Sequence, residues 1–548
     1  MRTSRWGRVG AAMTALVVAA ASVVSGCGAG GSKKQQLSGP GAPANPYLAA
    51  ASYAVTHLDP GQSDSFTDPV PRGTFHIDPA EMPRVAGGPV TIMTLASTDP
   101  DHMWVSSTAG PRYVDVSDGG FTQVASLDAP GVSPHISPDA LDRVLGQSFT
   151  DVGQIEAAVR DDWGGATVLR IVNGIYSMVD KDNHLYYTNQ DRELLVFGLK
   201  DPAKPEEGIE LVTRRDFKPL LGQGTDVFGH PEAVVGVNMT YDGHVVVLGT
   251  RSLYVLDRSL QGDPQQLRFG DDETISNSMA VDADGSIYVA SDTTMHKVVW
   301  RDGKLSTEAT DGAWSSPYDF GRQPPTVKFG KGTGSTPTLM GFGKDSDELV
   351  VITDGADHMK LVAFWRNDIP EGFQQKPGTR SNRIADQIQV TAGLAEPLPE
   401  FIQSEQSVVV DGYGAFVVQN IGGGDVANKL VDVLASGPVT EPPHGVQRFE
   451  WNPEAHKWVP VWERGDVVST SMVPAVSSTA GIVFVNGYSK ADGWEVTGLD
   501  WKTGETVHRT IFGQSNLGNG AYAIVEALSN GDLLFNSVGG PFRAKIAK

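Results

Sequence analysis

Apolar and polar positions alternate in short runs along most of this chain. From about residue 90 onward, an apolar segment, a polar turn and a second apolar segment rich in β-branched and aromatic residues recur. The clearest copies read TLASTDPDHMWVSS, YSMVDKDNHLYYTN, VNMTYDGHVVVLGT, SMAVDADGSIYVAS, GFGKDSDELVVITD, SVVVDGYGAFVVQN, AVSSTAGIVFVNGY and EALSNGDLLFNSVG. Turns containing Asp-Gly or Asn-Gly between β-branched runs are the strongest local signal for a β-hairpin, so each copy predicts two antiparallel strands. Most copies are followed by a third strand that ends in a tight turn, and then by a more polar fourth. Trp300, Trp365, Trp451 and Trp501 fall at or just before that turn, where an aromatic slab would pack neighbouring units face to face.

Units of four strands repeated along the chain resemble a β-propeller, in which radial repetition leaves few exposed sheet edges. The expected fold is therefore all-β, a ring of seven or eight four-stranded blades; the eight hairpins favour eight. After Leu533-Leu534-Phe535 the chain ends in GPFRAKIAK, enough for a third strand and no fourth. The strand-like Gly73-Thr74-Phe75-His76-Ile77 lies upstream of the first hairpin and is expected to complete the last blade. Between the first two hairpins the period changes. Ser137-Pro138 provides an N-cap and a first-turn proline, and Leu141, Val144, Leu145, Val152, Ile155 and Val159 fall near helical spacing, which predicts a small helical insertion near 137–160.

The N-terminus reads differently. Arg2, Arg5 and Arg8 precede an apolar run from Val9 to Val24, the charged and hydrophobic regions of an export signal. The run ends in Val24-Ser25-Gly26-Cys27, which resembles a bacterial lipobox. That resemblance implies cleavage after Gly26, lipidation of Cys27, and a body held outside the cytoplasm on the cell membrane by acyl chains. The expected division is a signal peptide over 1–26, a flexible Gly/Ser/Pro-rich tether over 27–70, and a propeller domain over 71–548.

Composition narrows the function classes. Asp and Glu outnumber Lys and Arg by 65 to 43, a formal charge of −22, which argues against nucleic acid as the main partner. Loss of residues 1–26 removes three arginines and no acid, and takes that charge to −25. The single cysteine, given to the lipid, can serve neither a disulfide nor a nucleophile. Apolar residues at 40% suffice for a large core, and the body is expected to be monomeric. No HExxH, GxSxG or GxxxxGK[ST] string is present, and Asp282-Ala283-Asp284-Gly285 reads as a hairpin turn because it lacks the spaced acids of a calcium loop.

In a propeller the first strand of each blade lines the central channel, so polar residues at its start gather at one mouth. Aligned on the turns, Asn277 and Ser278 stand level with Gln406 and Ser407, with Glu405 just ahead. His230 and Glu232 open the preceding blade, and Ser335 and Thr336 the following one. Such a ring suits a small ligand or a protein partner, or else hydrates the channel. SNSMAVDADGSIYVAS resembles a segment of gluconolactonase-like and NHL-type propellers. By that resemblance Asn277 would ligate a divalent cation that activates water for lactone or ester hydrolysis, with Glu232 as a second ligand. The sequence departs from it where Ser335-Thr336 stand in place of an aspartate. Thr497-Gly498-Leu499-Asp500-Trp501-Lys502-Thr503-Gly504-Glu505 resembles the blade-closing phrase of quinoprotein-type propellers, with His508 in place of the closing tryptophan. It reads as a shared way of building a blade. The leading expectation is a lipid-anchored binding protein; the alternative is a metal-dependent hydrolase.

Overall fold

The computed structural model of the protein describes residues 41–547, apart from 91–92, 133–134, 165–172, 226–228, 325–327, 344–345, 423–425 and 427. The export signal and Cys27 lie outside the described residues. Among those described, the strands form seven sheets of four or more strands, antiparallel apart from two edge pairings in one of them, and an eighth unit of three, the blades of a β-propeller. They follow one another along the chain, and only the sheet of blade 7 takes in strands from elsewhere in the sequence, two short ones from the N-terminal part. Blade 1 begins at Met93–Ala96, blade 2 at Met178–Val179, blade 3 at Val234–Met239 and blade 4 at Ala280–Val281; blades 5 to 8 begin at Thr338–Met340, Val409–Asp411, Ala475–Ser477 and Val525–Ala527. Each expected hairpin is the first two strands of one blade. The turns work as their residues suggest: at Gly285, φ is +88° and a Cβ would meet the Trp300 carbonyl oxygen at 2.3 Å, so only glycine fits.

The tryptophans join neighbours, as their period suggested. The Trp300 indole of blade 4 donates to the Asp242 carboxylate in the first turn of blade 3 (3.0 Å to Oδ2), and Trp451 of blade 6 repeats the contact on Asp347 of blade 5 at 2.8 Å. Trp365 meets Trp451 edge-on at 6.1 Å, and the Arg448 guanidinium lies over Trp501 at 4.6 Å. At the interfaces of blades 3 and 4 and of blades 5 and 6, bulk and a hydrogen bond thus come from one side chain, whereas Trp365 contributes its ring alone.

The helical insertion is two helices, α1 (Pro138–Leu145) and α2 (Val152–Trp163). Ser137 caps α1, its hydroxyl accepting from the Ala140 amide at 3.2 Å. Leu141, Val144, Ile155 and Val159 pack with a third helix, α3 (Lys429–Ala435), and with Val90, Ala521 and Val538.

Two expectations about the N-terminal part need correction. Gly73–His76 does not enter the last sheet; it pairs in parallel with Thr506–Gly513 on the outer edge of blade 7. The last blade is completed further along, where the amides of Val85, Gly87 and Val90 donate to the carbonyls of Pro541, Gly539 and Val538 at 3.0–3.4 Å. The chain before the first blade therefore does close the ring, with a different segment. The tether, expected to run to residue 70, is also shorter. Residues 45–68 thread the central channel and bond to the innermost strands in turn. Leu48 and Val55 bridge to Asp180 and Met178 of blade 2, and Ser65–Phe66 pairs in parallel with Val476 and Ser477 of blade 7. Between these, the carbonyls of Tyr53, Gly61 and Ser63 accept from Ala96, Leu339 and Val410 of blades 1, 5 and 6. A ring this wide needs something in its bore, and here the chain's own N-terminal segment supplies both apolar side chains and backbone partners.

Candidate functional site

The innermost strands all start at one mouth of the channel, and the residues just ahead of them meet there. Asn277, Gln406 and Tyr522 each stand three residues before an innermost strand, and Glu405, Ser407, Tyr176 and Val473 lie within four. Together with Thr56 and His57 from the channel segment and Phe329 from the loop before blade 5, they enclose a cavity of about 50 Å³. Of the nine residues expected at the mouth, four border this cavity: Asn277, Glu405, Gln406 and Ser407.

The others are placed differently. Thr336 stands behind the wall and donates to the Asn277 side-chain oxygen at 2.6 Å. Ser335 is buried and shares a hydrogen bond with Thr333 (2.8 Å), while the Ser278 hydroxyl packs on the Met279 sulfur at 3.8 Å. His230 and Glu232 do not border the cavity. The loop ahead of blade 3 folds back and presents Glu232 to the outer strand of its own blade, where Arg268 binds both carboxylate oxygens at 2.8 and 3.2 Å and the Gly222 and Gly224 amides donate to them. Burial alone would raise this carboxyl, but these donors outweigh it and hold Glu232 below the usual range. Glu232 is thus a brace of blade 3. His57, Tyr176 and Tyr522 escaped the sequence reading. Tyr176 and Tyr522 hold the same register as the expected residues, so alignment on the strand starts rather than the turns would have found them.

The divalent-metal reading fails on its donors. The Asn277 Oδ1 accepts from the Tyr176 hydroxyl, the Thr336 hydroxyl and the Ser278 amide, and its Nδ2 donates to the Gly334 carbonyl at 2.7 Å. Three donors exhaust the lone pairs of one carbonyl oxygen. Among the described residues no group of three or more His, Cys, Asp and Glu side chains is arranged to hold a metal ion. Asn277 is a structural crosslink between blades 2, 4 and 5.

Glu405 is the unusual member. It is 6% exposed, and neither carboxylate oxygen meets full hydrogen-bond geometry, although the Asn420 side chain beside it acts as a weak donor that lowers its pKa. Burial pushes its carboxyl up to about 8; Lys429 and Lys328 pull it down and Asp432 pushes it up. Lys328 is itself lowered by burial to about 8, and its ammonium donates to the Gln403 side-chain oxygen at 3.0 Å. The His57 Nε2 and the Ser407 hydroxyl, on the same cavity, also lack partners; the His57 Nδ1 bonds to Asp64 at 2.7 Å. Buried polar groups are nearly always satisfied, so three such residues around one cavity point to something that binds there.

The Glu405 shift has a consequence for stability. Its folded pKa lies above the unfolded value of about 4.5, so folding takes up a proton between the two. The stabilising contribution is complete below about 4.5 and is lost as pH rises through about 8. Glu405→Gln has no such loss. By scanning calorimetry its Tm should gain on that of the unsubstituted protein between pH 5 and pH 9; parallel pH curves would mean that Glu405 is solvated.

No family model matches the chain. Over 307 residues it is 33% identical to an uncharacterized protein of Archaeoglobus fulgidus, a match that covers 54% of this chain and 57% of that one. The chain thus spans little more than half the length of that relative. Among solved structures it is similar to the quinohemoprotein alcohol dehydrogenase of Comamonas testosteroni (13% identity, TM-score 0.47, 90% of this chain and 76% of that one). It is also similar to a putative 6-phosphogluconolactonase of Bacteroides fragilis (11% identity, TM-score 0.38, 76% and 91%) and to the WD40 domain of Neurospora crassa Pan2 (10% identity, TM-score 0.33, 66% and 85%). At these distances the likenesses carry neither activity nor ligand to this chain, and the fold rests on its own sheets.

Proposed function

We propose that the protein is a lipid-anchored β-propeller that works outside the cytoplasm and binds a small ligand in the cavity at the channel mouth. The observation that carries the binding reading is Glu405: an acid buried beside a cavity, with neither oxygen in a full hydrogen bond, is costly to ionise unless something else completes it. A protein partner is less well suited to this site, because the channel segment fills the bore beneath and leaves a cavity of about 50 Å³. The anchor rests on the charged and apolar signal, the Val24-Ser25-Gly26-Cys27 string, and the lone cysteine at its end.

Two measurements test the two halves. Labelled palmitate fed to expressing cells should enter the protein and leave it in Cys27→Ser, which should move from the membrane to the soluble fraction; equal labelling of both removes the anchor. For the site, a thermal-shift panel of small cationic, neutral and anionic compounds should contain one that stabilises the protein. A ligand at a hundred times its Kd adds about 2.7 kcal/mol. The shift should shrink in Ser407→Ala and Glu405→Gln, and a panel without any saturable shift counts against the reading.

A further inference from the structure

The walls of the cavity say what kind of ligand it suits. On one side is the Glu405 carboxylate, which can only accept hydrogen bonds when ionised. Around it stand the rings of Tyr176, Phe329 and Tyr522; Phe329 and Tyr522 stack at 6.2 Å, and Tyr176 stacks on His57 at 6.2 Å. The Glu405 charge acts on both phenols: burial first, then this carboxylate, raises Tyr176 and Tyr522 above the ordinary tyrosine range. Carboxylate and aromatic faces therefore share one small space. Neither buried lysine hydrogen-bonds the acid: the Lys328 ammonium donates to Gln403 and no hydrogen bond from Lys328 or Lys429 reaches Glu405, which both lysines influence through charge alone.

That combination discriminates between ligand classes. An anion would meet Glu405 head on. A bare calcium ion takes six to eight oxygen ligands, and the unpartnered oxygens bordering the cavity are those of Glu405 and Ser407. An ammonium group supplies N–H donors to the carboxylate and is attracted to aromatic faces. At roughly 10–15 Å³ per water-sized group, the cavity has room for about three to five non-hydrogen atoms.

Resting on the ligand-binding reading above, we propose that the cavity takes a primary alkylammonium group, its N–H donors on the Glu405 carboxylate and its carbons against Tyr176, Phe329 and Tyr522. The step balances simply: the cation enters, the Glu405 carboxyl gives up its proton to solvent, and the ionised oxygens accept from the ammonium. Binding is therefore pH-dependent in a stated direction. The charged and titratable groups packed around Glu405 are His57 and Asp64 from the channel segment, Lys328 from the loop before blade 5, Lys429 and Asp432 from α3, and the two tyrosines. Asp432 is raised by burial to about 6, so it loses its proton before Glu405 does and is mostly ionised between pH 6.5 and 8.5.

The test is calorimetric titration of the full chain with methylammonium and ethylammonium chloride at pH 6.5 and 8.5, with potassium chloride at matched ionic strength as the control. Saturable one-to-one binding of an alkylammonium ion is expected, about 25-fold tighter at pH 8.5 than at 6.5 because Glu405 must ionise first. Glu405→Gln, its fold checked by circular dichroism, should lose the binding. Tyr522→Leu should weaken it, while Tyr522→Phe, which keeps the ring, should retain it. Equal binding by Glu405→Gln, or potassium competing as well as the amines, overturns the proposal. A neutral or anionic compound that binds the cavity while neither ammonium ion does overturns it too and leaves the ligand-binding reading standing; no binding by any compound removes both.

Discussion

A chain lacking residues 45–66 is expected not to fold, although every blade strand from Met93 onward is still present. The deleted segment buries Leu48, Val55, Leu58 and Phe66, each 5% exposed or less, against first strands around the ring. At about 1.5–3 kcal/mol per buried side chain, these four alone contribute about 6–12 kcal/mol, comparable with the whole stability of a typical domain. The deletion also leaves the amides of Leu339, Val410 and Val476 without the carbonyls of Gly61, Ser63 and Asp64. Phe66→Ala isolates one part of the effect and should cost about 3–5 kcal/mol, since the ring is wholly buried beside Phe484 and Tyr53. Urea unfolding followed by circular dichroism reads both. A truncated chain that unfolds at the same urea concentration as the full one would mean that the segment merely rests in the bore.

Asp532→Ala should be the most damaging single change at the ring closure, at about 3–5 kcal/mol. The Asp532 Oδ2 accepts from the Arg543 Nε at 2.8 Å, both side chains being about 5% exposed, and its Oδ1 accepts from the Ile546 and Ala547 amides at 3.0 Å. Arg543 in turn donates to the Val116 and Gly120 carbonyls of blade 1 at 3.1 and 3.0 Å. One aspartate therefore holds the C-terminal strand in register and orients the arginine that fastens blade 8 to blade 1. Removing it strands a buried guanidinium. Asp532→Asn, which keeps the shape and part of the hydrogen bonding, should lose clearly less; equal Tm values for Asp532→Ala and the unsubstituted protein would show that the latch carries no load.

The blades were legible because strands of a propeller obey local rules: alternate residues face opposite sides of each sheet, and the turns between them need glycine or Asp-Gly. The caps of α1 and the tryptophan period were legible for the same reason. The channel segment obeys no such period. Tyr53, His57, Leu58, Gln62 and Asp64 all have positive φ, and the chain turns from blade to blade, so its apolar residues fall at irregular intervals and its small and polar ones resemble a linker. The closing segment misled in the opposite sense. Gly73–His76 looks like a strand and is one, but its edge is on blade 7, whereas Arg84–Val90, with two glycines and a proline, carries no strand signal and closes the ring through backbone amides, the Arg84 guanidinium and two valines. Glu232 had the right position in sequence for the mouth and was drawn away by Arg268, a partner 36 residues on that no local pattern announces.

The occupied bore is the feature on which the cavity, its His57 floor and the ligand assignment all depend, and hydrogen exchange read by mass spectrometry tests it most directly. Peptides spanning residues 45–66 should exchange slowly, alongside the innermost strands at Met178–Val179, Val409–Asp411 and Ala475–Ser477, because the Ala49 and Thr56 amides donate to the Val179 and Ser177 carbonyls of blade 2 and the Leu58, Gln62 and Asp64 amides are bonded within the buried segment. Complete exchange of 45–66 within seconds, with the blade strands still protected, would contradict it and return the segment to the role of a tether.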